Sequence, residues 1–187
     1  MTNIVIISSS IRTGRKSNRV ALYFQKYLSD NKLAKAEIVD LMVYDFPLFH
    51  EKLSEQKNPS KKVLEFTKKI IAADGIIIVT PEYNGGYPAS LKNVIDLLYK
   101  EWHHKPIAIS TVSGGAFGGS QAIVLLQFSL WKIGATMVTA MFPVPNVEKT
   151  FDEDGIAKDK ATTDKLARLF INELLWTIKE SKWELPI

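Results

Sequence analysis

The strongest constraint on the fold is a series of short, β-branched apolar runs that alternate with segments of helical spacing. Four such runs cover residues 4–7, 75–79, 106–112 and 135–140, and a weaker one covers residues 36–42. The strongest runs lack the alternation of a half-exposed strand, which is typical of strands buried on both faces of a parallel sheet. We therefore predict five parallel strands.

The segments between these runs carry apolar residues at helical intervals. Four stripes stand out: Val20, Phe24, Tyr27 and Leu28; Val63, Phe66, Thr67 and Ile70; Leu91, Val94, Ile95 and Leu98; and Leu166, Phe170, Leu174 and Thr177. With the apolar segment 120–133, they predict five helices in strict alternation with the strands. The result is an α/β three-layer sandwich with helices on both faces of a parallel sheet. Right-handed crossovers restrict it to doubly wound topologies, of which strand order 2-1-3-4-5 is our prediction.

Length and composition are those of an ordinary globular protein. The 187 residues are 46% hydrophobic and 24% charged, and we predict a single domain over residues 1–187. No apolar run approaches the ~20 residues of a membrane-spanning helix, and the N-terminal residues do not resemble a secretory signal. We therefore expect a cytoplasmic protein without a membrane partner.

Residue types exclude several kinds of chemistry. With no cysteine, the chain cannot form disulfides or zinc–thiolate sites. The adjacent His103 and His104 have no obvious third ligand, so no metal site is predicted. A net charge of +4 raises the question of nucleic acid. Because Lys and Arg are interspersed with Asp and Glu along the chain, we expect an anionic small molecule instead, and no nucleic-acid partner.

Ligands of such a sheet bind where the strands end. The first strand is followed by a loop, residues 8–18, that is rich in hydroxyl groups and leads into the first helix. Its hydroxyls, its N–H groups and the helix N-terminus can converge on a phosphate, and Arg12 can add a charge-assisted bond. Arg15 is placed either at the phosphate or in solvent. The loop is neither a Walker loop nor a dinucleotide fingerprint, and a serine-capped helix behind a polar turn is the alternative.

Two further loops follow the third and fourth strands. Residues 80–93 contain two prolines, Pro81 and Pro88, that bracket an Asn-Gly-Gly turn, so the backbone between them can lie against a planar ring. Tyr83 or Tyr87 can supply an apolar wall. Residues 113–120 contain four glycines, which permit close backbone approach and leave N–H groups free. Because all three loops fall on one edge of the sheet, they predict one ligand site.

Over nearly the whole chain, and most specifically in these loops, the sequence resembles the NAD(P)H-dependent FMN reductase family, which includes related quinone and azo-dye reductases. The most specific element is the Pro81-Glu82-Tyr83-Asn84 motif, followed by Pro88, Leu91-Lys92-Asn93 and Ile95-Asp96. The first loop is similar to the family's Gly-Ser-x-Arg phosphate motif, with Ser9 in place of glycine. The resemblance implies a flavodoxin-like, FMN-binding domain.

The resemblance also implies which residues bind FMN. Carried over by position, Ser10, Arg12, Ser17 and Asn18 hold the phosphate; Pro81, Glu82, Tyr83 and Asn84 pack along the isoalloxazine; and Ser113, Gly114 and Gly115 contact its pyrimidine side. Hydride transfer between stacked rings needs no acid–base side chain, so no catalytic residue is predicted. The N–H groups of Gly114 and Gly115 are expected to stabilise negative charge on the reduced ring.

The implied function is an enzyme that passes electrons from NADPH or NADH through FMN to a flavin, quinone or azo-type acceptor by a ping-pong mechanism. One alternative is a flavodoxin-type electron carrier without direct NAD(P)H oxidation, although such carriers are usually acidic. Another is an α/β binding protein without redox activity. The choice of acceptor and of dinucleotide stays open.

Three other segments carry predictions. The segment 120–133 is apolar almost all round, so one face covers the sheet and the other predicts a homodimer or homotetramer. Residues 45–49 form either a flap on their own domain or a contact with the flavin of a partner subunit. Residues 152–155 are predicted to form an exposed turn, because their spacing does not fit a calcium loop.

Overall fold

A computed structural model of the chain describes residues 1–181 and contains one five-stranded sheet. The strands are β1 (Asn3–Ser8), β2 (Lys35–Asp40), β3 (Gly75–Pro81), β4 (Pro106–Val112) and β5 (Thr136–Met141). Their order is β2-β1-β3-β4-β5 and all neighbours are parallel. The predicted flavodoxin-like topology is confirmed.

Helices cover both faces of this sheet. They are α1 (Asn18–Asp30), α2 (Leu41–Tyr44), α3 (Lys61–Ala72), α4 (Ala89–Leu97), α5 (Ser120–Lys132), α6 (Val147–Thr150) and α7 (Lys160–Ser181). The buried side chains of α1 and α7 share one core with the sheet, and those of α3, α4 and α5 share the other. The five predicted helices are α1, α3, α4, α5 and α7.

The first strand shows why its apolar run is unbroken. Ile4 and Ile6 point into the core beneath α1 and α7, whereas Val5 and Ile7 point into the opposite core. All four are essentially inaccessible to solvent. Because successive side chains of a strand face opposite ways, burial on both faces requires an apolar residue at every position.

The weaker run at residues 36–42 was wrongly predicted to be a single strand. β2 ends at Asp40, and Leu41 and Met42 belong to the short helix α2. The Asp40 carboxylate accepts the Met42 N–H at 3.0 Å, which caps α2 and ends the strand. This local capping bond overrides the apolar pattern, which continues unchanged through the boundary.

Helices α1 and α7 are joined by a hydrogen bond from the Tyr23 hydroxyl to the Asp164 carboxylate, at 2.8 Å. Burial raises the pKa of Tyr23 above its usual value, and the bond to Asp164 raises it further. Since the folded chain holds the phenol neutral more strongly than the unfolded chain does, this contribution to stability is complete below about pH 10. It is lost progressively at higher pH.

We therefore expect Tyr23→Phe to lower the free energy of unfolding by about 1 kcal/mol at neutral pH. The difference in the free energy of unfolding between wild type and variant should become smaller above about pH 10. Urea unfolding at several pH values measures it. Tyr99→Phe is the control, because the Tyr99 side chain is half exposed. A gap that stays constant with pH would contradict the role given to Tyr23.

Candidate functional site

The three predicted loops meet at the carboxyl edge of the sheet and enclose a cleft of about 290 Å³. Most of the predicted site residues line it: Ser10, Arg12, Ser17, Pro81, Glu82, Tyr83, Ser113 and Gly114. The cleft lies near the lower limit of small-molecule pockets, about 300 Å³. A larger cavity of about 390 Å³ lies elsewhere, between residues 46–60 and α4.

Three predicted site residues, Asn18, Asn84 and Gly115, do not line the cleft. The Asn18 side-chain oxygen accepts the Ser8 hydroxyl at 3.1 Å, which ties the start of α1 to the end of β1. Asn84, at a φ of +51°, lies in the tight turn after Tyr83. The Gly115 carbonyl accepts a backbone N–H at 2.9 Å. These three residues therefore stabilise the conformation of the loops without lining the cleft.

Buried hydroxyl groups without a hydrogen-bond partner concentrate at this edge. Within residues 1–181, the side-chain oxygens in this state are those of Ser9, Ser17 and Thr111. Ser17 immediately precedes α1, yet its hydroxyl makes no capping bond, and the residue lines the cleft. Because buried polar groups are nearly always hydrogen-bonded, an unpaired hydroxyl at a helix N-terminus indicates a site for an anionic ligand.

The first loop and the start of α1 carry four basic side chains, of which three are engaged. Arg15 pairs with Asp40, Lys16 with Glu148, and Arg19 with Glu153. In the part of the chain that the structure describes, the exposed Arg12 guanidinium has no ion pair or hydrogen bond. Arg12 is therefore the cation of this group that is free to bind an anion. Arg15 also lines the cleft, but its guanidinium is held by the Asp40 carboxylate.

Side chains of the second loop have roles that the sequence did not reveal. The Glu82 carboxylate accepts the N–H groups of Gln121 at 2.9 Å and Ala122 at 3.4 Å, so it caps the N-terminus of α5. The Glu82 N–H also donates to the Val112 carbonyl at 3.3 Å, so this residue joins the second loop to β4 as well as to α5. The Tyr83 hydroxyl hydrogen-bonds the Ser10 hydroxyl at 2.7 Å, which joins the second loop to the first.

Sequence reasoning missed the connection between β5 and α6. The Ser113 N–H donates to the Val144 carbonyl at 3.0 Å, and the Val147 N–H donates to the Ser113 carbonyl at 3.1 Å. Val147 itself lines the cleft. The available indication was the Pro143-Val144-Pro145-Asn146 segment, which follows β5 at the same edge of the sheet. It forms a fourth wall that supports the glycine-rich loop.

Serine in place of the family's glycine at position 9 is accommodated without closing the cleft. The Ser9 side chain is fully buried and does not line it. Its N–H donates to the Val79 carbonyl at 3.1 Å, and its carbonyl accepts the Ser90 hydroxyl at 2.6 Å. The backbone at Ser9 has no positive φ, so the turn does not require glycine.

Residues 45–49 form a flap held by their own chain. The Phe46 ring packs against Tyr44 and Phe66, with ring centroids 5.1 and 5.4 Å apart. The Asn93 amide on α4 donates to the Pro47 carbonyl at 2.9 Å and accepts the Phe49 N–H at 2.5 Å. Of the two predictions for this segment, the structure shows the flap, and contact with a partner subunit stays a prediction.

Comparison with known proteins decides the family. Residues 2–149 match the family model described as NADPH-dependent FMN reductase. The chain belongs to this family. It is 37% identical over 136 residues to an NAD(P)H-dependent FMN reductase of Saccharomyces cerevisiae, covering 65% of this chain and 70% of that protein. It is 32% identical over 170 residues to a quinone reductase of Escherichia coli, covering 87% of this chain and 88% of that protein.

Among solved structures, the FMN reductase fold of the chain resembles FerB, an NAD(P)H:(acceptor) oxidoreductase from Paracoccus denitrificans. The TM-score is 0.77 at 24% identity, covering 96% of this chain and 98% of FerB. The predicted family, fold, enzyme class and cofactors, FMN and a nicotinamide dinucleotide, are confirmed at the level of the family. Among residues 1–181, none of the helices combines the length and the hydropathy of a membrane-spanning segment.

The residues of the cleft fit FMN. The unpaired Ser17 hydroxyl, the free Arg12 guanidinium and the N-terminus of α1 suit a phosphate group at one end. At the other end, a Cβ added to Gly114 would meet no protein atom within 4 Å, so the backbone there is open to close approach by a ring.

Proposed function

We propose that this chain, as a single domain over residues 1–187, is an oxidoreductase that uses NADPH or NADH to reduce small-molecule acceptors through bound FMN. One observation carries the proposal: the buried, partnerless hydroxyl of Ser17 shares a cleft with the free guanidinium of Arg12. Family membership supplies the identity of the ligand. A cytoplasmic location is part of the proposal, since the electron donor is a nicotinamide dinucleotide.

In this proposal the side chains and main chain that line the cleft bind FMN and orient it. When bound, FMN supplies the two-electron acceptor for hydride from the dinucleotide. Ser10, Arg12 and Ser17 hold its phosphate, and the main chain of residues 81–84 supports the ring. The Glu82 cap on α5 keeps that segment in place. In this proposal the N–H of Gly114, a residue that lines the cleft, donates to the pyrimidine side of the ring, and no side chain moves a proton in the hydride step.

We propose that donor and acceptor use the same face of the cleft in turn, which gives ping-pong kinetics. The three loops and Val147 line a single cleft, which supports a shared binding face for donor and acceptor. Quinones are the acceptor class we favour, since the similarity to the quinone reductase of Escherichia coli extends over 87% of this chain.

The test is an absorption spectrum of the purified protein with FMN, followed by anaerobic addition of each dinucleotide. We expect rapid bleaching of the flavin band and parallel double-reciprocal plots when NADPH and a quinone are varied together. Bleaching that requires a partner protein would favour an electron carrier. A protein that takes up no FMN would favour a binding protein without redox activity, and intersecting plots would contradict the ping-pong mechanism.

We further propose that the chain forms a homodimer through α5, or a homotetramer that contains this contact. Its outer face presents Val124, Leu125, Phe128 and Trp131, each more than half exposed. A contiguous apolar face of this kind favours association. This face is joined to the second loop of the cleft, because the Tyr87 and Ser129 hydroxyls are 2.7 Å apart.

Replacing Phe128 and Trp131 together by Lys is therefore expected to convert the protein to a monomer, because two desolvated ammonium groups would oppose burial of the face. Sedimentation velocity at micromolar concentration measures the change. Ile71→Lys, at an exposed position on α3, is the control that should keep the wild-type assembly. A wild-type protein that sediments as a monomer would remove this proposal.

A further inference from the structure

The Arg15 side chain links the first loop to the neighbouring strand. Its two terminal nitrogens donate to the two carboxylate oxygens of Asp40, and Nη1 also donates to the Ser10 carbonyl at 2.7 Å. Both side chains are largely buried, with 12% of Arg15 and 19% of Asp40 exposed. A two-pronged contact of this kind fixes orientation as well as distance, which a lysine cannot do.

The pair anchors a turn that has few other anchors. Within residues 10–16, local bonds join the Arg15 N–H to the Arg12 carbonyl at 3.1 Å and the Arg12 N–H to the Ser10 hydroxyl at 3.3 Å. Gly14, at a φ of +70°, allows the chain to reverse. Outside the turn, Asp40 is the last residue of β2 and the cap of α2, so it is itself held firmly.

Arg15 and Asp40 fix the conformation of the first loop without adding net charge to it. Because Asp40 neutralises Arg15, the positive charge left for an anion in this loop comes from Arg12 and from the N-terminus of α1. Arg15 instead holds the carbonyl of Ser10, whose hydroxyl group lies on the cleft side. An arginine in this position affects an anion through the placement of its neighbours.

We infer that Arg15 and Asp40 are positioning residues for the phosphate of FMN. They keep Ser10 and Arg12 in the arrangement that receives the phosphate, without contributing net charge of their own. The inference rests on the proposed function and adds two residues to it: Asp40 lies outside the cleft, and Arg15 lines the cleft with its guanidinium held by Asp40 and the Ser10 carbonyl. It also predicts that the guanidinium fork, and not the charge of Arg15, is what the site requires.

The test compares Arg15→Lys and Asp40→Asn with wild type by titrating the apoprotein with FMN and with riboflavin, which lacks the phosphate. Flavin fluorescence reports each Kd. We expect the preference for FMN, the ratio of the riboflavin Kd to the FMN Kd, to fall about tenfold in both variants. The riboflavin Kd should change by no more than about twofold, because the ring end of the cleft is untouched.

The matched control is Glu37→Gln. Glu37 lies in β2, as Asp40 does, and its carboxylate pairs with the Lys69 ammonium group at 2.7 Å. It should keep the wild-type preference. Full preference in Arg15→Lys would show that charge alone suffices. A higher preference in Asp40→Asn would show that Arg15, once released, binds the phosphate itself, and equal loss of both flavins with a lower Tm would show a purely structural role. Any of these results overturns the inference. A wild-type protein that does not bind FMN would instead contradict the proposed function. Because one variant changes Arg15 and the other changes Asp40, the test stays decisive if one of them fails to fold.

Discussion

Gly114→Val is expected to raise the Kd for FMN at least about a hundredfold while leaving folding stability nearly unchanged. Gly114 lines the cleft, and a Cβ built on it meets no protein atom within 4 Å. Its φ lies outside the left-handed region, so a side chain causes no backbone strain. The valine side chain would therefore meet no protein atom, but it would occupy the part of the cleft in which we propose that the ring binds.

The measurement is a fluorescence titration with FMN, combined with urea unfolding of the apoprotein. Gly115→Val is the informative comparison, because the sequence resemblance assigns both glycines to the ring whereas the structure places only Gly114 on the cleft. Position 115 is equally open to a Cβ. We expect a much smaller loss of affinity there. Equal losses at both positions would favour the assignment from sequence, and no loss at Gly114 would contradict the proposed site.

The architecture could be predicted because burial on both faces leaves a direct trace in the sequence. The central positions of β1 and β3, residues 4–7 and 76–79, are all apolar, and the amphipathic stripes between strands mark the covering helices. The ends of strands and helices were less predictable where a single polar contact determines them. Asp40 ends β2 through one bond to the next turn, and the apolar run around it gives no sign of this.

The location of the site could also be predicted, since loops that follow parallel strands share an edge. What the sequence could not show is where individual side chains point. Glu82 caps a helix that begins 38 residues later in the chain, and Arg15 reaches a carboxylate 25 residues away. Such contacts depend on the packing of elements that no local pattern relates, so a motif identifies a loop more reliably than the role of each member.

The turn at residues 152–155 illustrates the same limit, and it leads to the largest expected effect on stability. The sequence predicted an exposed turn, and Glu153 and Asp154 are indeed exposed. Gly155, however, is buried against α1, at a φ of +77°. A Cβ at this position would lie 2.5 Å from the Arg19 carbonyl oxygen and 2.8 Å from the Leu22 Cβ. These are atoms of a helix and cannot rotate away.

Gly155→Ala should therefore lower the free energy of unfolding by about 3 kcal/mol, from left-handed strain together with overpacking. Relief would require the turn to move off α1, which would disturb the bond from Arg19 to the Phe151 carbonyl at 3.0 Å. Urea unfolding at neutral pH measures the loss. Gly14→Ala separates the two causes, because Gly14 has a similar φ of +70° but no atom within 4 Å of an added Cβ.

For Gly14→Ala only the strain applies, and we expect a loss of about 1 kcal/mol. If both alanine variants lose the same amount, the backbone conformation alone accounts for the requirement for glycine. A loss at Gly155 that exceeds the loss at Gly14 by about 2 kcal/mol would show that close packing on α1 of this turn, which follows α6, contributes to stability. In that case Gly155→Ala should also weaken FMN binding, although the residue lies outside the cleft.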